Sequence, residues 1–241
     1  MGRYSNRLSR ELAREAGVAP GERILDVGCG TGALTSVLAE LVGAENVAGV
    51  DPSEPFVEAC RARVPGADIR LAPAEDLPFE DASFDRSLSQ LVFSFVSDPA
   101  ASAREMVRVT RPGGLVAACV WDMTGGMRMI HGYWAAARAV DASAPSEEER
   151  FGGGAGQLAG LWRDIGLHDV VDGTLSVTTQ YRDFDELWNS FQGAVGPVGV
   201  HAASLEGDLR DAVRDAFWEN IGSPEGPFTL VGTAWYTSGV V

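Results

Sequence analysis

A short apolar run that ends in a glycine-rich loop is the feature that most constrains how this chain folds. The stretch reads ILDVGCGTGA from Ile24 to Ala33, and it places glycines at Gly28, Gly30 and Gly32. An apolar run, such a loop and a helix-like sequence in succession are typical of the first strand, turn and helix of a nucleotide-binding α/β domain. The loop therefore predicts a strand end that lies against a nucleotide-bearing cofactor.

Strand-like and helix-like segments alternate from about residue 20 to Trp121, which predicts crossover units and a parallel sheet. Ser53 and Asp98 precede two of the helix-like segments as expected N-caps. The strand-like runs lie at 23–27, 46–50, 68–72, 84–89 and 114–121, and the helix-like segments lie at about 31–42, 53–63 and 98–110.

After Trp121 the alternation ends. A polar run, SEEER at 146–150, is followed by a glycine-rich run, GGGAG at 152–156, which is expected to be flexible. Two late strand-like segments alternate apolar and polar residues, which favours antiparallel edge pairing. These strands lie at 168–179 and 228–239, and helices are expected at 127–140, at 157–165 and near 183–193 and 204–221.

The chain is expected to form a single domain over residues 1–241, with its cofactor-binding part at about 20–121. The segments 122–150 and 183–221 follow strands whose carboxyl ends line the ligand crevice of an open α/β sheet. They are therefore expected to form a helical cap, together with the N-terminal segment 1–17.

Charge and cysteine content indicate the kind of partner. The chain has 34 acidic residues against 19 Lys and Arg, a formal net charge of -15, and such a surface repels nucleic-acid phosphates and anionic lipids. A small-molecule partner is therefore expected, with no nucleic acid and no membrane insertion, while the oligomeric state is left open. The widely separated Cys29, Cys60 and Cys119 match no disulfide or metal pattern, which favours a reducing cytoplasm and no bound metal.

Two cofactors fit the glycine loop. Gly28-x-Gly30-x-x-Ala33 followed by Asp51 matches the dinucleotide fingerprint, so a nicotinamide-dependent oxidoreductase is one alternative. Asp26 favours S-adenosylmethionine, because its carboxylate repels a pyrophosphate but attracts an ammonium group. For that cofactor the glycines allow the backbone to lie against the methionine and ribose portions. Asp51 then accepts hydrogen bonds from both ribose hydroxyls.

The stretch LAPAEDLPFEDASFD at 71–85 follows the third strand, where an adenine ring is expected to lie. Ala74 is positioned to offer its backbone N–H to the ring, and Glu75 and Leu77 are positioned to flank it. A plain polar turn is the alternative for this stretch.

Four motifs in succession, DVGCGTG, VDPS, AEDLPFEDASFD and RVTRPGGLV, resemble those of the class I S-adenosylmethionine-dependent methyltransferases. The resemblance covers about residues 20–121 and is closest to the group that includes the ubiquinone and menaquinone C-methyltransferases. It implies a doubly wound, Rossmann-like sheet of seven strands, mostly parallel, with an antiparallel last strand, and transfer of a methyl group by in-line displacement. The cofactor contacts that it implies come from Asp26, Gly28, Gly30, Thr31, Gly32, Asp51, Ala74, Glu75 and Gln90.

Two positions depart from the family pattern. Pro73 stands where the family often has Asp or Asn, which leaves Glu75, Asp76 or water as the partner of the adenine amino group. Gln90 stands where relatives commonly have a smaller residue, so the nature of its contact is open.

No catalytic base is assigned from the sequence. His168 is expected on an edge strand, His131 on an exposed helix surface and His201 in a cap loop. Tyr4 and the N-terminal helix are expected to fold over the cofactor. The aromatic and methionine residues of the cap suit an apolar or aromatic acceptor, or simple packing. A catalytically silent S-adenosylmethionine-binding protein is a further alternative.

Overall fold

The computed structural model of the chain describes residues 2–147, 150–193 and 196–241, which form seven strands and nine α-helices. The strands are β1 (Ile24–Val27), β2 (Val47–Asp51), β3 (Asp68–Leu71), β4 (Phe84–Gln90), β5 (Thr110–Trp121), β6 (His168–Tyr181) and β7 (Phe228–Val240). The helices are α1 (Gly2–Glu15), α2 (Ala33–Val42), α3 (Glu54–Arg63), α4 (Pro99–Val109), α5 (Arg128–Val140), α6 (Gln157–Asp164), α7 (Phe184–Asn189), α8 (Gly196–Ser204) and α9 (Gly207–Asn220).

The seven strands form one sheet in the order β3-β2-β1-β4-β5-β7-β6. Neighbours among β1 to β5 are parallel, whereas β7 is antiparallel to both β5 and β6. The predicted fold, a mostly parallel α/β sheet with an antiparallel last strand, is therefore confirmed. Edge pairing was expected of both late strands, but only β6 is an edge strand, because β7 inserts between β5 and β6.

Helices cover both faces of the sheet. Along β5, Val116 and Val120 belong to the apolar cluster that contains Trp162 of α6. The alternate residues Ala117 and Trp121 belong to a second cluster, formed with α1, α2 and α5. This division follows from the strand period of two, which points successive side chains to opposite faces.

The segments that were expected to form a cap pack together on the second of these faces. Helix α5 packs against α8, α9 and β7, and α1 packs against α2 and β6. Five aromatic rings have centroids 5.2 to 6.3 Å from that of Tyr133, and they belong to Trp134, Trp188, Phe191, His201 and Phe217. Met1, 148–149 and 194–195, which fall within the expected cap, lie outside the described residues. In the described part of the chain, no helix is both long and apolar enough to cross a membrane.

The glycine-rich run at 152–156 is a hydrogen-bonded turn, contrary to the expected flexible segment. The Gly152 N–H donates to Gln157 Oε1 at 2.8 Å, and the Gly153 carbonyl accepts the Met123 N–H at 3.2 Å. These bonds hold the run against the residues that follow β5.

The two expected N-caps behave differently. The Asp98 carboxylate accepts the Ala101 N–H at 2.9 Å in the first turn of α4. Ser53, at the start of α3, makes no side-chain capping bond. The capping residue type is present in both helices, but only Asp98 satisfies a first-turn N–H group.

We expect Asp98→Ala to lower the free energy of unfolding by about 1 kcal/mol, because the Ala101 N–H loses its acceptor. Ser53→Ala is the matched control, and we expect it to change that free energy by less than about 0.5 kcal/mol. Urea unfolding of the two variants measures both values. Equal losses would contradict the assignment of Asp98 as the residue that caps.

Candidate active site

The glycine loop follows β1 at the carboxyl edge of the sheet, where the strand order reverses between β1 and β4. Ligands of open α/β sheets bind at such switch points. The N–H groups of Gly28 and Cys29 both donate to the Val50 carbonyl at 2.8 Å, so the loop is fastened to β2. Gly28, Gly30 and Gly32 have φ values of 76°, 52° and 84°, in a region that favours glycine.

The three glycines differ in what surrounds them. A Cβ on Gly28 would collide with the Val92 side chain, and one on Gly32 would lie 3.0 Å from Cys60 Sγ. A Cβ on Gly30 would have no heavy atom within 4 Å. A side chain at Gly28 or Gly32 would therefore already meet the protein itself, whereas one at Gly30 would enter open space.

Asp51 ends β2 directly beside the loop. Its side chain is buried, and Oδ2 accepts the Gly30 N–H while Oδ1 accepts the Ser53 N–H, each at 2.9 Å. Because a carboxylate oxygen has two lone pairs, each oxygen keeps the capacity for one more hydrogen bond. The carboxylate is thus held in one orientation and is able to accept from two neighbouring hydroxyl groups.

Asp26 lies beneath the loop. The residue is 1% exposed, and its Oδ2 accepts a hydrogen bond from Thr35 Oγ1 at 2.7 Å. Burial raises the pKa of Asp26 to about 7, although the hydrogen bond from Thr35 opposes the shift. Its Oδ1 has no hydrogen-bond partner among the described residues. An unsatisfied buried acceptor is costly, so this oxygen is a candidate contact for a donor on a ligand.

Two neighbouring residues after β3 have different surroundings. Ala74 is buried, whereas Glu75 is turned toward the start of α4. Glu75 Oε1 accepts the Ser97 N–H at 2.9 Å, the Ser97 hydroxyl at 2.8 Å and the Asp98 N–H at 3.3 Å. Burial acts against the shift, but these hydrogen bonds lower the pKa of Glu75. One oxygen of Glu75 is thus bound to the protein, and the other oxygen makes none of these three bonds.

The end of β4 is a strained corner beside α1. Gln90 Nε2 donates to the Ser5 carbonyl at 3.2 Å, and its Oε1 has no hydrogen-bond partner in the described part of the chain. Leu91, the next residue, has a φ of 64°, and such strain is concentrated at functional sites. Thr31, by contrast, is exposed within the glycine loop.

A cavity of about 450 Å³ lies beside this corner, between the ends of β4 and β5 and the cap helices α1, α5 and α8. Volumes of this size suit small organic molecules. Most of its wall is apolar or aromatic, with contributions from Phe56, Leu91, Trp121, Met129, Phe191 and Val198. The polar side chains in the wall are those of Ser5, Ser94, Glu147 and Ser190.

Tyr4 and His201 occupy places that the sequence did not indicate. Tyr4 is 1% exposed, its ring centroid lies 6.1 Å from that of Trp121, and its hydroxyl accepts from the Tyr181 hydroxyl at 3.4 Å. Tyr4 therefore belongs to the core. His201 lies in α8 and not in a loop, with its Nδ1 2.7 Å from the Tyr133 hydroxyl.

Among the described residues that line the cavity there is no histidine. His168 is exposed at the start of the edge strand β6, as expected, whereas His131 is half-buried on α5 and not exposed. Burial lowers the pKa of His201. No histidine is therefore assigned as a general base. Across residues 2–147, 150–193 and 196–241, no group of three or more His, Cys, Asp or Glu is placed to hold a metal ion.

Glu147 and Phe56 are cavity residues that were not predicted. Glu147 belongs to the polar run SEEER, yet it is 4% exposed and accepts a hydrogen bond from Trp134 Nε1 at 2.9 Å. A run of charged residues is typical of a solvated loop, so the local sequence does not indicate that Glu147 is buried. Phe56 follows Asp51 closely in the chain, and its place shortly after the acid that is expected to bind a ribose is the signal that was available.

Comparison with known proteins supports a methyltransferase domain. Residues 25–118 match the family model described as a methyltransferase domain. The O-methyltransferase cnsE of Penicillium expansum is 38% identical over 114 residues, which are 45% of this chain and 41% of that protein. The chain spans less than half the length of the curated relatives that it matches, between 29% and 42% for several of them.

Solved structures extend the likeness to nearly the whole chain. One is the phosphoethanolamine N-methyltransferase 2 of Haemonchus contortus in complex with phosphomonomethylethanolamine and S-adenosylhomocysteine, which is 15% identical with a TM-score of 0.60. That likeness covers 97% of this chain and 52% of the other. Another is the [4+2]-cyclase SpnF, which is 21% identical with a TM-score of 0.59 and coverages of 98% and 81%. At these identities the likeness shows the fold alone. Residues 25–118 therefore match the methyltransferase domain family, and the described chain has the class I methyltransferase fold.

Proposed function

We propose that this chain is an S-adenosylmethionine-dependent methyltransferase that acts on a small-molecule acceptor. The observation that carries the proposal is the Asp51 carboxylate, held by two N–H groups beside Gly30, the loop glycine that faces open space. A buried carboxylate with spare lone pairs at the end of β2 fits the two ribose hydroxyls of a nucleoside.

The residues around the loop fit the amino-acid portion of this cofactor. Helix α2 begins at Ala33 with no side-chain cap at Gly32, so the N–H groups at the start of this helix are candidate donors to a carboxylate. The unpartnered Oδ1 of Asp26 fits an ammonium group. A carboxylate site and an ammonium site close together suit a zwitterion, whereas Asp26 would repel the pyrophosphate of a dinucleotide. We also assign cofactor contacts to the backbone of Gly28, Thr31 and Gly32 and to the side chain of Gln90.

We assign the adenine ring to the buried side chains of Ala74 and Leu77, which follow β3. Glu75 then serves to fix this segment against the start of α4, through its bonds to Ser97 and Asp98. The adenine amino group is left to the exposed Asp76, to water or to the second oxygen of Glu75.

When bound, this cofactor supplies an electrophilic methyl group for in-line displacement. The chain's own part is to orient the acceptor and to exclude water, both of which lower the barrier. We assign the acceptor to the cavity beside β4, because an apolar and aromatic wall around about 450 Å³ suits a small apolar molecule.

Finer features of the proposal come from composition and motifs. The net charge of -15 disfavours a nucleic-acid acceptor. The three buried free cysteines favour a reducing compartment such as the cytoplasm. We further propose, from the motifs in residues 20–121, an affiliation with the group that includes the ubiquinone and menaquinone C-methyltransferases.

A second candidate is a protein that binds the cofactor without transferring its methyl group. The likeness to the [4+2]-cyclase SpnF favours keeping this candidate, because it shows that the fold alone does not specify methyl transfer. Turnover with an acceptor separates the two candidates, whereas binding of the cofactor product does not.

Calorimetric titration with S-adenosylhomocysteine and, in parallel, with NAD tests the proposal. We expect the first ligand to bind and the second not to bind. Asp51→Asn is expected to weaken binding of S-adenosylhomocysteine by about 1–3 kcal/mol, because the ribose hydroxyls lose a charged acceptor. Asp169→Asn, at an exposed position near the start of β6, is the matched control and is expected to bind like the native chain.

Binding of NAD alone would overturn the proposal, and an unchanged affinity in Asp51→Asn would remove Asp51 from the site. Binding of S-adenosylhomocysteine without methyl transfer to a panel of phenols, carboxylic acids and amines would favour the second candidate.

Two alanine substitutions separate ligand space from protein packing. Gly28→Ala and Gly30→Ala both place a side chain at positive φ, at a cost of roughly 1–2 kcal/mol each. Gly28→Ala also collides with Val92, so we expect it to lose about 1–3 kcal/mol more in unfolding free energy. Gly30→Ala is expected to weaken S-adenosylhomocysteine binding by about tenfold or more, because its methyl group enters the assigned ligand space. Thermal unfolding measures the loss of stability, and calorimetry measures the loss of affinity. A folded Gly30→Ala that binds S-adenosylhomocysteine with native affinity would refute the placement of the ligand beside Gly30.

A further inference from the structure

Glu147 is a cavity residue to which the proposed function gives no role. It is the charged side chain among the described residues of an otherwise mainly apolar wall, and it is 4% exposed. Burial of a carboxylate in such surroundings is costly unless hydrogen bonds and an opposite charge compensate for it. An apolar residue would pack there without that cost, so packing alone does not account for a carboxylate.

Two groups of the cap hold this carboxylate. Trp134 Nε1 donates to Oε2 at 2.9 Å, and Trp134 is itself 2% exposed, so the indole is a fixed donor. Arg150 Nε lies 3.5 Å from Oε1, which is longer than an ordinary N–H···O hydrogen bond. The guanidinium of Arg150 also donates to the Ser94 carbonyl at 3.2 Å and lies 4.9 Å from the centroid of the Phe95 ring. The carboxylate is therefore oriented and keeps the capacity to accept another hydrogen bond.

The serines of the wall are less suited to this role. The Ser94 hydroxyl donates to the Phe151 carbonyl at 3.1 Å, and the Ser190 hydroxyl donates to the Leu187 carbonyl at 2.7 Å. Each of them still has lone pairs, but a neutral hydroxyl is a weaker acceptor than a carboxylate. Glu147 is thus the stronger acceptor that the wall offers.

The charge balance around Glu147 selects the kind of donor. Arg150 is already at ion-pair distance, so an ammonium group on the ligand would meet a second cation beside the same carboxylate. A neutral hydroxyl donates a hydrogen bond without adding charge. The rest of the wall, including Leu91, Trp121 and Phe191, favours an apolar or aromatic body.

We propose that Glu147 accepts a hydrogen bond from a hydroxyl group of the acceptor, and that the acceptor is otherwise an apolar or aromatic small molecule. This inference rests on the proposed function, because it takes the cavity as the acceptor site. Glu147 is on this view the residue that determines which acceptors bind and how they lie.

Three probes with one naphthalene body test the inference: naphthol, the corresponding methoxynaphthalene and the corresponding naphthylmethylamine. Fluorescence titration of the full chain is carried out with and without saturating S-adenosylhomocysteine. We expect naphthol to bind at least about tenfold more tightly than either of the other probes, because a hydrogen bond to a charged acceptor is strong.

Glu147→Gln is expected to abolish the preference for naphthol over methoxynaphthalene. Trp134 Nε1 still requires an acceptor, so the amide oxygen takes the place of Oε2 and the amide N–H₂ takes the place of Oε1. Glu40→Gln is the matched control, because Glu40 is exposed and pairs with Arg10 at the surface. We expect it to leave the preference unchanged.

Equal binding of all three probes to the native chain, a preference for the amine, or no binding of any probe would each overturn the inference. A folded Glu147→Gln that keeps the native preference would overturn it as well. If Glu147→Gln does not fold, as judged by circular dichroism, the probe preference of the native chain still tests the inference. Failure of S-adenosylhomocysteine to bind would instead count against the proposed function, because that titration is read separately from the probes.

Discussion

The hydrogen bond from the Gly30 N–H to Asp51 Oδ2 is the interaction on which the candidate site depends. It joins the loop after β1 to the end of β2, two segments that are 21 residues apart in the chain. Two further bonds, from Gly28 and Cys29 to the Val50 carbonyl, hold the same pair of strands together. Strand β2 therefore fixes the position of the loop, and the loop in turn fixes the orientation of the Asp51 carboxylate. A carboxylate fixed in this way loses little conformational entropy when a ligand binds.

The remaining features of the site extend from this junction along the carboxyl edge of the sheet. Val92 packs on Gly28, and the strained Leu91 turns the chain away from β4 toward the cavity. Gln90 ties this corner to the Ser5 carbonyl of α1. The cap helices then close the cavity through the aromatic cluster around Tyr133. The proposed cofactor site and the proposed acceptor site consequently adjoin, with the end of β4 between them, as direct transfer between two bound molecules requires.

Much of the fold could be predicted because its signals are local. Alternating strand and helix patterns, the Asp98 cap and the glycine loop each depend on a few neighbouring residues, and they gave the strand positions to within a few residues. The Asp51 position is local as well, because it is set by a strand end. What could not be predicted depends on contacts between distant segments. Glu147 is buried where Trp134 and Arg150 pair with its carboxylate, and the sequence around it resembles a solvated loop.

The same reason explains which contacts at the loop and beside it were not predicted. The Val92 side chain packs against Gly28, which has a positive φ. Because Val92 is far from Gly28 in the chain, the sequence near Gly28 does not indicate this packing. The hydrogen bonds from Ser97 and Asp98 to Glu75 were not predicted, because only the folded chain brings these donors to it. The run at 152–156 was expected to be flexible because glycine allows many conformations, whereas Gln157 and Met123 select one.

The likeness to a [4+2]-cyclase shows that this fold does not fix the reaction, so the account depends on what the loop binds and how. The most direct test is a crystal structure of the chain with S-adenosylhomocysteine. The account predicts that both ribose hydroxyls donate to the Asp51 carboxylate, that the ligand crosses the open face of Gly30, and that its sulfur points toward the cavity beside β4. A ligand that lies elsewhere, or whose ribose makes no contact with Asp51, would contradict it.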